Sequence, residues 1–137
     1  MNPLHLILYS VAGLLIAGIV VACGTQKQNR YSSIIPTDVT TFKSIVQQSR
    51  IQLVDARTPQ EYAEGHIEGA INIDVLAEDF TQSALKILKK GESIAIYCRS
   101  GKRSSKAAEL LVAAGFQGKI YNLTGGYLAY TRAGSAR

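Results

Sequence analysis

Short apolar runs along this chain alternate with segments in which apolar residues recur every three or four positions. The near-continuous apolar runs predict strands of a sheet that is buried on both faces. These runs lie at residues 51–55, 70–73, 93–97 and 119–122. The helical spacing predicts helices before, between and after the strands. These helices are expected at residues 38–47, 78–90, 104–114 and 127–132.

A further short helix is predicted where polar residues mark a start. Thr58 can cap this helix, Pro59 occupies its first turn, and Glu61 follows three residues after the cap, as in a capping box. Gly65 is expected to end it. Strands that alternate with helices predict an α/β fold, with a central, mostly parallel β-sheet flanked by helices on both faces.

Two polar residues stand where a parallel sheet usually binds its ligand. Such sheets bind ligands at the carboxyl ends of their strands. Asp55 ends the first predicted strand, and Cys98 follows the strand at 93–97. Both residues are therefore candidates for a functional site before any motif is considered.

The first part of the chain is apolar and cannot belong to a soluble core. Residues 3–22 carry no Lys, Arg, Asp or Glu, and about 20 apolar residues suffice to span a bilayer. A hydrophobic helix is expected here, in one of two roles. In the first, it is a secretory signal peptide that ends in a lipobox, with cleavage before a lipidated Cys23. In the second, it is an uncleaved transmembrane anchor.

The flanking charges divide between these two roles. Signal peptides usually begin with a positive region, which this chain lacks. Lys27 and Arg30 follow the segment and favour an anchor with the domain in the cytoplasm. The small residue before Cys23 and the polar switch after it favour a periplasmic, extracytoplasmic lipoprotein, which is the preferred reading. Either role attaches the domain to a membrane.

The chain is thus expected to have four parts. Residues 1–23 are the signal peptide or anchor, and residues 24–33 are a polar linker. Residues 34–132 form one domain, since about 100 residues can bury a single core. Residues 133–137 are expected to be a flexible tail.

The net charge of +5 is unevenly distributed. Residues 86–106 contain seven basic side chains and one acid, whereas residues 55–79 contain seven acids and one base. A basic chain often binds nucleic acid, but that would need a wider basic surface with exposed aromatic residues. The concentration of positive charge around Cys98 instead favours a small anionic substrate, and nucleic acid is not an expected partner.

The chain has two cysteines, Cys23 and Cys98, in such different contexts that no disulfide between them is expected. No metal site is predicted, because His5 and His66 lack clustered ligands, and no cofactor is implied. Cys98 itself lies between a buried strand and a cationic loop that opens a helix. A helix N-terminus and neighbouring Arg or Lys lower a thiol pKa, so this segment predicts an activated nucleophile beside an anion-binding loop.

Three segments together resemble a known family. Residues 53–73, which include Leu-Val-Asp-Ala-Arg and Gly-His-Ile-Glu-Gly-Ala, resemble the first signature of the rhodanese (sulfurtransferase) domain. Residues 97–104, Tyr-Cys-Arg-Ser-Gly-Lys-Arg-Ser, resemble its active-site loop, and residues 122–126, Asn-Leu-Thr-Gly-Gly, its C-terminal signature. The resemblance covers residues 34–132 with one copy of each motif, so it implies a single rhodanese-like domain.

The resemblance implies a sulfurtransferase. Cys98 would take the outer sulfur of thiosulfate or a similar small anionic donor as a persulfide, and pass it to a thiol acceptor or to cyanide. Asp55 and Arg57 would support the loop from behind. The loop residues that would bind the donor are Arg99, Ser100, Gly101, Lys102, Arg103 and Ser104.

Several alternatives remain open at this stage. A related phosphatase would need C-x(5)-R, but Arg103 closes a shorter C-x(4)-R loop. A non-catalytic persulfide carrier, redox sensor or docking module is a further alternative. Arg57 and Glu61 are expected to form a structural ion pair, and His66 to lie in a structural turn. The physiological donor and acceptor and the oligomeric state are left open.

Overall fold

The structure is a computed structural model that describes residues 33–135, and every structural statement below concerns these residues. They form five strands and five helices. The strands are β1 (Ile34–Thr37), β2 (Ile51–Asp55), β3 (Ile71–Asn72), β4 (Ser93–Tyr97) and β5 (Ile120–Leu123). The helices are α1 (Val39–Val46), α2 (Pro59–Glu64), α3 (Phe80–Ile87), α4 (Lys102–Ala113) and α5 (Gly126–Ser135).

The strands form one sheet in the order β1-β5-β4-β2-β3, and every pair is parallel. All strand carboxyl ends therefore meet at one edge. The register places Asp55 at the end of β2 opposite Tyr97 at the end of β4. Because β4 is the central strand, the loop that begins at Cys98 leaves from the middle of this edge.

Helices cover both faces of the sheet, as the sequence predicted. Side chains from α3 and α4 pack on one face around Ile94 and Ile96 of β4. Side chains from α1 and α5 pack on the other face around Ala95 and Tyr97. Alternate residues of β4 thus enter opposite cores, which explains why this strand is apolar without interruption.

Several predicted elements have the predicted bounds. β4 coincides with the run at 93–97. α2 begins at the expected capping box, in which Thr58 accepts a hydrogen bond from the Glu61 N–H and the Glu61 side chain accepts one from the Thr58 N–H. Its final residue, Glu64, comes directly before the expected terminator Gly65.

Other elements differ from the sequence prediction. β1 was not predicted, because Pro36 in a four-residue run argues against a strand; it is tolerated here because β1 is an edge strand that pairs only with β5. α3 is shorter than the helix expected at 78–90. α5 continues through residues 133–135, which the sequence placed in the tail.

The predicted N-terminal hydrophobic helix, with its signal or anchor role, lies in residues 1–32, outside the described residues. Most of the linker expected at 24–33 lies there too. Among residues 33–135, none of the helices is long and apolar enough to cross a bilayer.

Candidate active site

The backbone after β4 curls tightly around the thiol of Cys98. α4 begins only four residues later, at Lys102. Gly101 stands before it in the left-handed region with φ 96°, a conformation that costs glycine little. A Cβ at Gly101 would also lie 3.1 Å from the Leu123 carbonyl oxygen and 3.2 Å from the Gly125 nitrogen. Glycine therefore lets the loop turn toward the helix start while it packs against the segment after β5.

The Cys98 sulfur is buried and surrounded by hydrogen-bond donors. The residue is 1% exposed. Its Sγ accepts a hydrogen bond from the Gly101 N–H at 3.2 Å and lies 3.5 Å from the Ser104 hydroxyl. Burial opposes ionisation, but hydrogen bonds from the Ser104 hydroxyl and from the N–H groups of Ser104, Ser100 and Gly101 outweigh it and lower the Cys98 pKa.

The start of α5 holds the loop from behind. The Tyr127 N–H donates to the Cys98 carbonyl at 2.8 Å, and the Leu128 N–H donates to the Arg99 carbonyl at 3.1 Å. In a planar trans peptide the carbonyl and the following N–H point in opposite directions. Because these carbonyls are drawn toward α5, the N–H groups of Arg99 and Ser100 are turned away from it, toward the concave side of the loop.

The cations of the loop are not equivalent. Arg103 forms a bidentate ion pair with Glu61, with both nitrogen–oxygen distances 2.7 Å. This pair lowers the pKa of Glu61 to about 2 and raises that of Arg103. Arg99 and Lys102 are exposed, and within the described residues neither forms an ion pair. Of the three basic residues predicted to bind substrate, two are available and the third ties the loop to α2.

Asp55 and Arg57 form a buried ion pair at the same edge of the sheet. The Arg57 Nη2 lies 2.7 Å from the Asp55 Oδ2 and also donates to the Gly65 carbonyl at 2.7 Å. The Arg57 guanidinium stacks over the Tyr127 ring, 4.2 Å from its centroid. Although burial disfavours the charged form, the hydrogen bonds and charge of Asp55 raise the pKa of Arg57.

This arrangement corrects one sequence expectation. Arg57 and Glu61 were expected to pair with each other, but each has another partner: Arg57 contacts Asp55, and Glu61 contacts Arg103. The sequence could not distinguish these pairings, because Glu61 reaches Arg103 across 42 residues. The capping box already accounted for Glu61 in α2, so nothing in the sequence pointed to a distant partner for it.

The network behind the loop also contains residues that the sequence did not identify. The Asn72 amide donates to the carbonyls of Asp55 at 3.1 Å and Arg57 at 2.8 Å. Gly126 lies so close to the loop that a Cβ there would be 2.5 Å from the Cys98 carbonyl oxygen. The Gly-Gly pair in the third motif was the signal for this contact.

Two further residues near the site make structural contacts. His66 is exposed, stacks on Tyr62 with ring centroids 3.7 Å apart, and has its Nδ1 2.9 Å from the Tyr62 carbonyl oxygen. Tyr97 is fully buried, which raises its pKa, and its hydroxyl accepts a hydrogen bond from the Ile67 N–H.

Among residues 33–135, no group of three or more His, Cys, Asp or Glu side chains could hold a metal ion.

A parallel sheet with a cysteine cradled at the end of its central strand defines a class of α/β protein, and sequence comparison identifies the family. The profile of the Rhodanese-like domain matches residues 38–133. The chain therefore belongs to the rhodanese-like family, as the three motifs indicated.

Similar proteins agree with this assignment. Thiosulfate sulfurtransferase 18 of Arabidopsis thaliana is 34% identical over 116 residues, which cover 77% of this chain and 84% of that protein. Thiosulfate sulfurtransferase PspE of Escherichia coli (strain K12) is 35% identical over 63 residues, covering 46% and 60% of the two chains. The solution structure of a rhodanese-like domain from Anabaena matches with a TM-score of 0.65 at 30% identity, covering 72% of this chain and 74% of that one.

Proposed function

We propose that this protein is a thiosulfate-type sulfurtransferase that carries sulfur as a persulfide on Cys98. The observation that supports this most directly is the buried Cys98 thiol, whose pKa is lowered by donors of its own loop. A thiolate is the reactive form of cysteine, and the same donors can stabilise the charge of a second sulfur bound to it. The loop can thus stabilise both the thiolate nucleophile and the persulfide that it forms.

In the first half-reaction, the Cys98 thiolate attacks the outer sulfur of thiosulfate. The bond between the two donor sulfurs breaks, and sulfite leaves with the electron pair. Cys98 then carries a persulfide, whose negative outer sulfur is held by the N–H groups on the concave side of the loop. Because Cys98 is almost fully buried, a slender terminal atom reaches it more easily than a bulky group.

In the second half-reaction, an acceptor thiolate attacks the outer sulfur of the persulfide. The acceptor becomes a persulfide and Cys98 returns as a thiolate, so no external oxidant or reductant is needed. Cyanide would take the sulfur as thiocyanate in the same way. Such covalent catalysis divides one transfer into two simpler displacements.

Arg99 and Lys102 are the residues we assign to donor binding. Arg99 lines a cleft of about 330 Å³ between α2 and α5, together with Arg57 and Tyr127. Lys102 opens α4, whose N-terminus also favours an anion. Arg103 is assigned a positioning role instead, because its guanidinium is occupied by Glu61.

Replacement of the nucleophile tests this proposal. Cys98→Ser should abolish sulfur transfer from thiosulfate to cyanide and should leave the circular dichroism spectrum and the melting temperature close to wild type. The wild-type protein should gain the mass of one sulfur atom on incubation with thiosulfate, and the Cys98→Ser variant should not. Full activity of Cys98→Ser would refute the assignment, and a stable persulfide that no thiol removes would favour a carrier.

We also propose that residues 1–32 attach the domain to a membrane, through lipidated Cys23 or through an uncleaved apolar helix. The support is the uncharged stretch at 3–22 and the polar switch that follows it. Mass measurement of the mature N-terminus tests this. A lipid on Cys23 would indicate the extracytoplasmic lipoprotein, an intact Met1 would indicate the anchor, and an unmodified protein without residues 1–23 would exclude both.

A further inference from the structure

The edge of the sheet opposite Cys98 is where the N-terminal segment joins the domain. Because the strands are parallel, the amino ends of β1, β2, β4 and β5 meet at that edge. β1, the first element, begins there at Ile34. The described chain therefore enters the domain at the side opposite the active-site loop.

Four exposed basic residues lie at this edge, which we call the basic edge. They lie in the segments that lead into β2, β4 and β5. The residues are Arg50, Lys89, Lys90 and Lys119. The same segments contain one acid, Glu92. Four basic side chains against one acid give the edge a net positive charge.

Specific contacts hold these segments side by side. The Lys89 N–H donates to the Gln52 side chain at 2.8 Å, which joins the segment before β4 to the start of β2. The Lys119 N–H donates to the Ser93 hydroxyl at 3.3 Å, which joins the segment before β5 to the start of β4. The charges thus lie on three adjoining segments of one rigid sheet edge.

An amphipathic groove opens at the same edge. It has a volume of about 400 Å³ and lies between the C-terminal ends of α3 and α4. Leu85, Leu88 and Phe116 give it an apolar lining, and Lys86 and Lys90 add two cations. Apolar lining beside positive charge matches the boundary between acyl chains and headgroups of an anionic phospholipid.

We propose that the basic edge and this groove dock onto the anionic phospholipid surface of the membrane, with the Cys98 loop facing away from it. The inference rests on the membrane attachment proposed above. The linker at 24–33 reaches at most about 35 Å when fully extended, so it keeps the domain within reach of the bilayer surface.

This orientation has a functional consequence. A five-residue strand is about 17 Å long, so the whole sheet separates the lipid surface from the reactive thiol. Small donors and acceptors would then reach Cys98 from the aqueous side. Anionic headgroups would attract the basic edge. They would not repel the anionic donor or the acceptor from the Cys98 loop, since charge effects in solution fall off within about 10 Å.

The test uses the full chain on phosphatidylcholine vesicles with and without phosphatidylglycerol. Flotation with the neutral vesicles measures attachment by residues 1–32. Amide hydrogen exchange then measures docking, and we expect residues 48–50, 89–92 and 117–119 to exchange roughly fivefold more slowly only on the anionic vesicles, since one basic residue near such a surface is worth about that factor. Residues 99–101 should exchange equally on both.

A charge variant and a matched control locate the effect. The docking variant carries Lys89→Gln, Lys90→Gln and Lys119→Gln, and it should lose the slower exchange while keeping sulfur transfer in solution.

The control carries Lys43→Gln, Lys106→Gln and Arg132→Gln, which remove equal charge elsewhere, and it should keep the slower exchange. Equal exchange on both vesicles, or equal loss in variant and control, would overturn the docking proposal. Failure to float with neutral vesicles would count against the membrane attachment instead. Equally slow exchange with duplex DNA in place of vesicles would also overturn the lipid assignment.

Discussion

At the scale of single residues, the Cys98 thiol is subject to two opposed effects. Burial alone would keep the sulfur protonated and inert. Hydrogen bonds from Ser104, Ser100 and Gly101 reverse that outcome and lower its pKa. The same residue is therefore shielded from solvent and still has a lowered thiol pKa.

Removal of the Ser104 hydroxyl should raise the Cys98 pKa. For Ser104→Ala, we expect the rate of Cys98 alkylation by iodoacetamide at pH 7 to fall by roughly two- to tenfold. This factor corresponds to the free energy of one lost hydrogen bond to the thiolate. The pH profile of alkylation should move to higher pH, because a thiol with a raised pKa supplies less thiolate at any given pH. Quenching the reaction at set times and measuring the alkylated fraction by mass spectrometry gives both the rate and its pH profile.

Ser105→Ala is the matched control, since Ser105 neighbours Ser104 in α4 but makes no hydrogen bond to the sulfur. Its alkylation profile should match the wild type. An unshifted profile for Ser104→Ala would mean that the backbone N–H groups alone set the reactivity of Cys98.

At the scale of elements, the loop is shaped by α5 as much as by its own residues. Gly126 has φ 60°, and its Cα faces the carbonyl groups of Cys98 and Arg99. For Gly126→Ala, we expect sulfur transfer to fall more than tenfold, because the new methyl group must push the loop out of its productive geometry. Steady-state assays and thermal unfolding of the same preparation separate lost activity from lost stability.

Gly134→Ala is the control on the same helix. A Cβ at Gly134 would contact nothing within 4 Å, so activity should be unchanged. Stability should rise slightly, since alanine is favoured over glycine in a helix. Wild-type activity of Gly126→Ala would show that the loop does not depend on its close contact with α5.

The Glu61–Arg103 pair joins α2 to α4 and should make stability depend on pH. The Glu61 pKa is about 2 in the folded protein against an ordinary 4.5. Its stabilisation is therefore present above about pH 4.5 and is lost as the pH falls through about 2. We expect Glu61→Gln to lower the free energy of unfolding at pH 7 by about 1–2 kcal/mol, after allowance for partial exposure of the pair. Urea unfolding measures it.

The difference between Glu61→Gln and wild type should narrow as the pH is lowered toward 2. Glutamine at this position still supports the capping box, so the substitution isolates the charge. Glu64→Gln on the same helix is the control, because Glu64 is exposed and forms no ion pair among the described residues. A pH-independent difference would contradict the assigned role of the pair.

At the scale of the whole molecule, Arg57 holds three parts of the site together. It joins Asp55 at the end of β2, the Gly65 carbonyl after α2, and the Tyr127 ring of α5. For Arg57→Met, we expect the free energy of unfolding to fall by about 3–5 kcal/mol, because Asp55 would remain as a buried charge with no opposite charge beside it. Urea unfolding at pH 7 measures this loss.

The double variant Asp55→Asn, Arg57→Met should recover part of that stability, because it removes the unpaired charge. Its activity should stay low if the pair positions the loop. A double variant no more stable than Arg57→Met would show that the contacts of Arg57 with Gly65 and Tyr127, rather than its charge, dominate.

Local pattern determined much of the fold. The apolar run of β4 and the capping box of α2 each carry their signal within a few residues, so their bounds could be predicted. β1 escaped prediction because Pro36 argues against a strand, and its place depends on pairing with β5 more than 80 residues later. Residue spacing cannot report such distant pairing.

The same division applies to the site. The sequence alone identified Cys98, its cationic loop and the helix after it, because nucleophile, charges and helix start are contiguous in the chain. Only the tertiary structure decided that Arg103 pairs with Glu61, that Arg57 pairs with Asp55, and that α5 turns the loop amides toward the sulfur. Those choices depend on which distant segments the packed sheet brings within hydrogen-bonding distance, and a linear pattern contains no such distances.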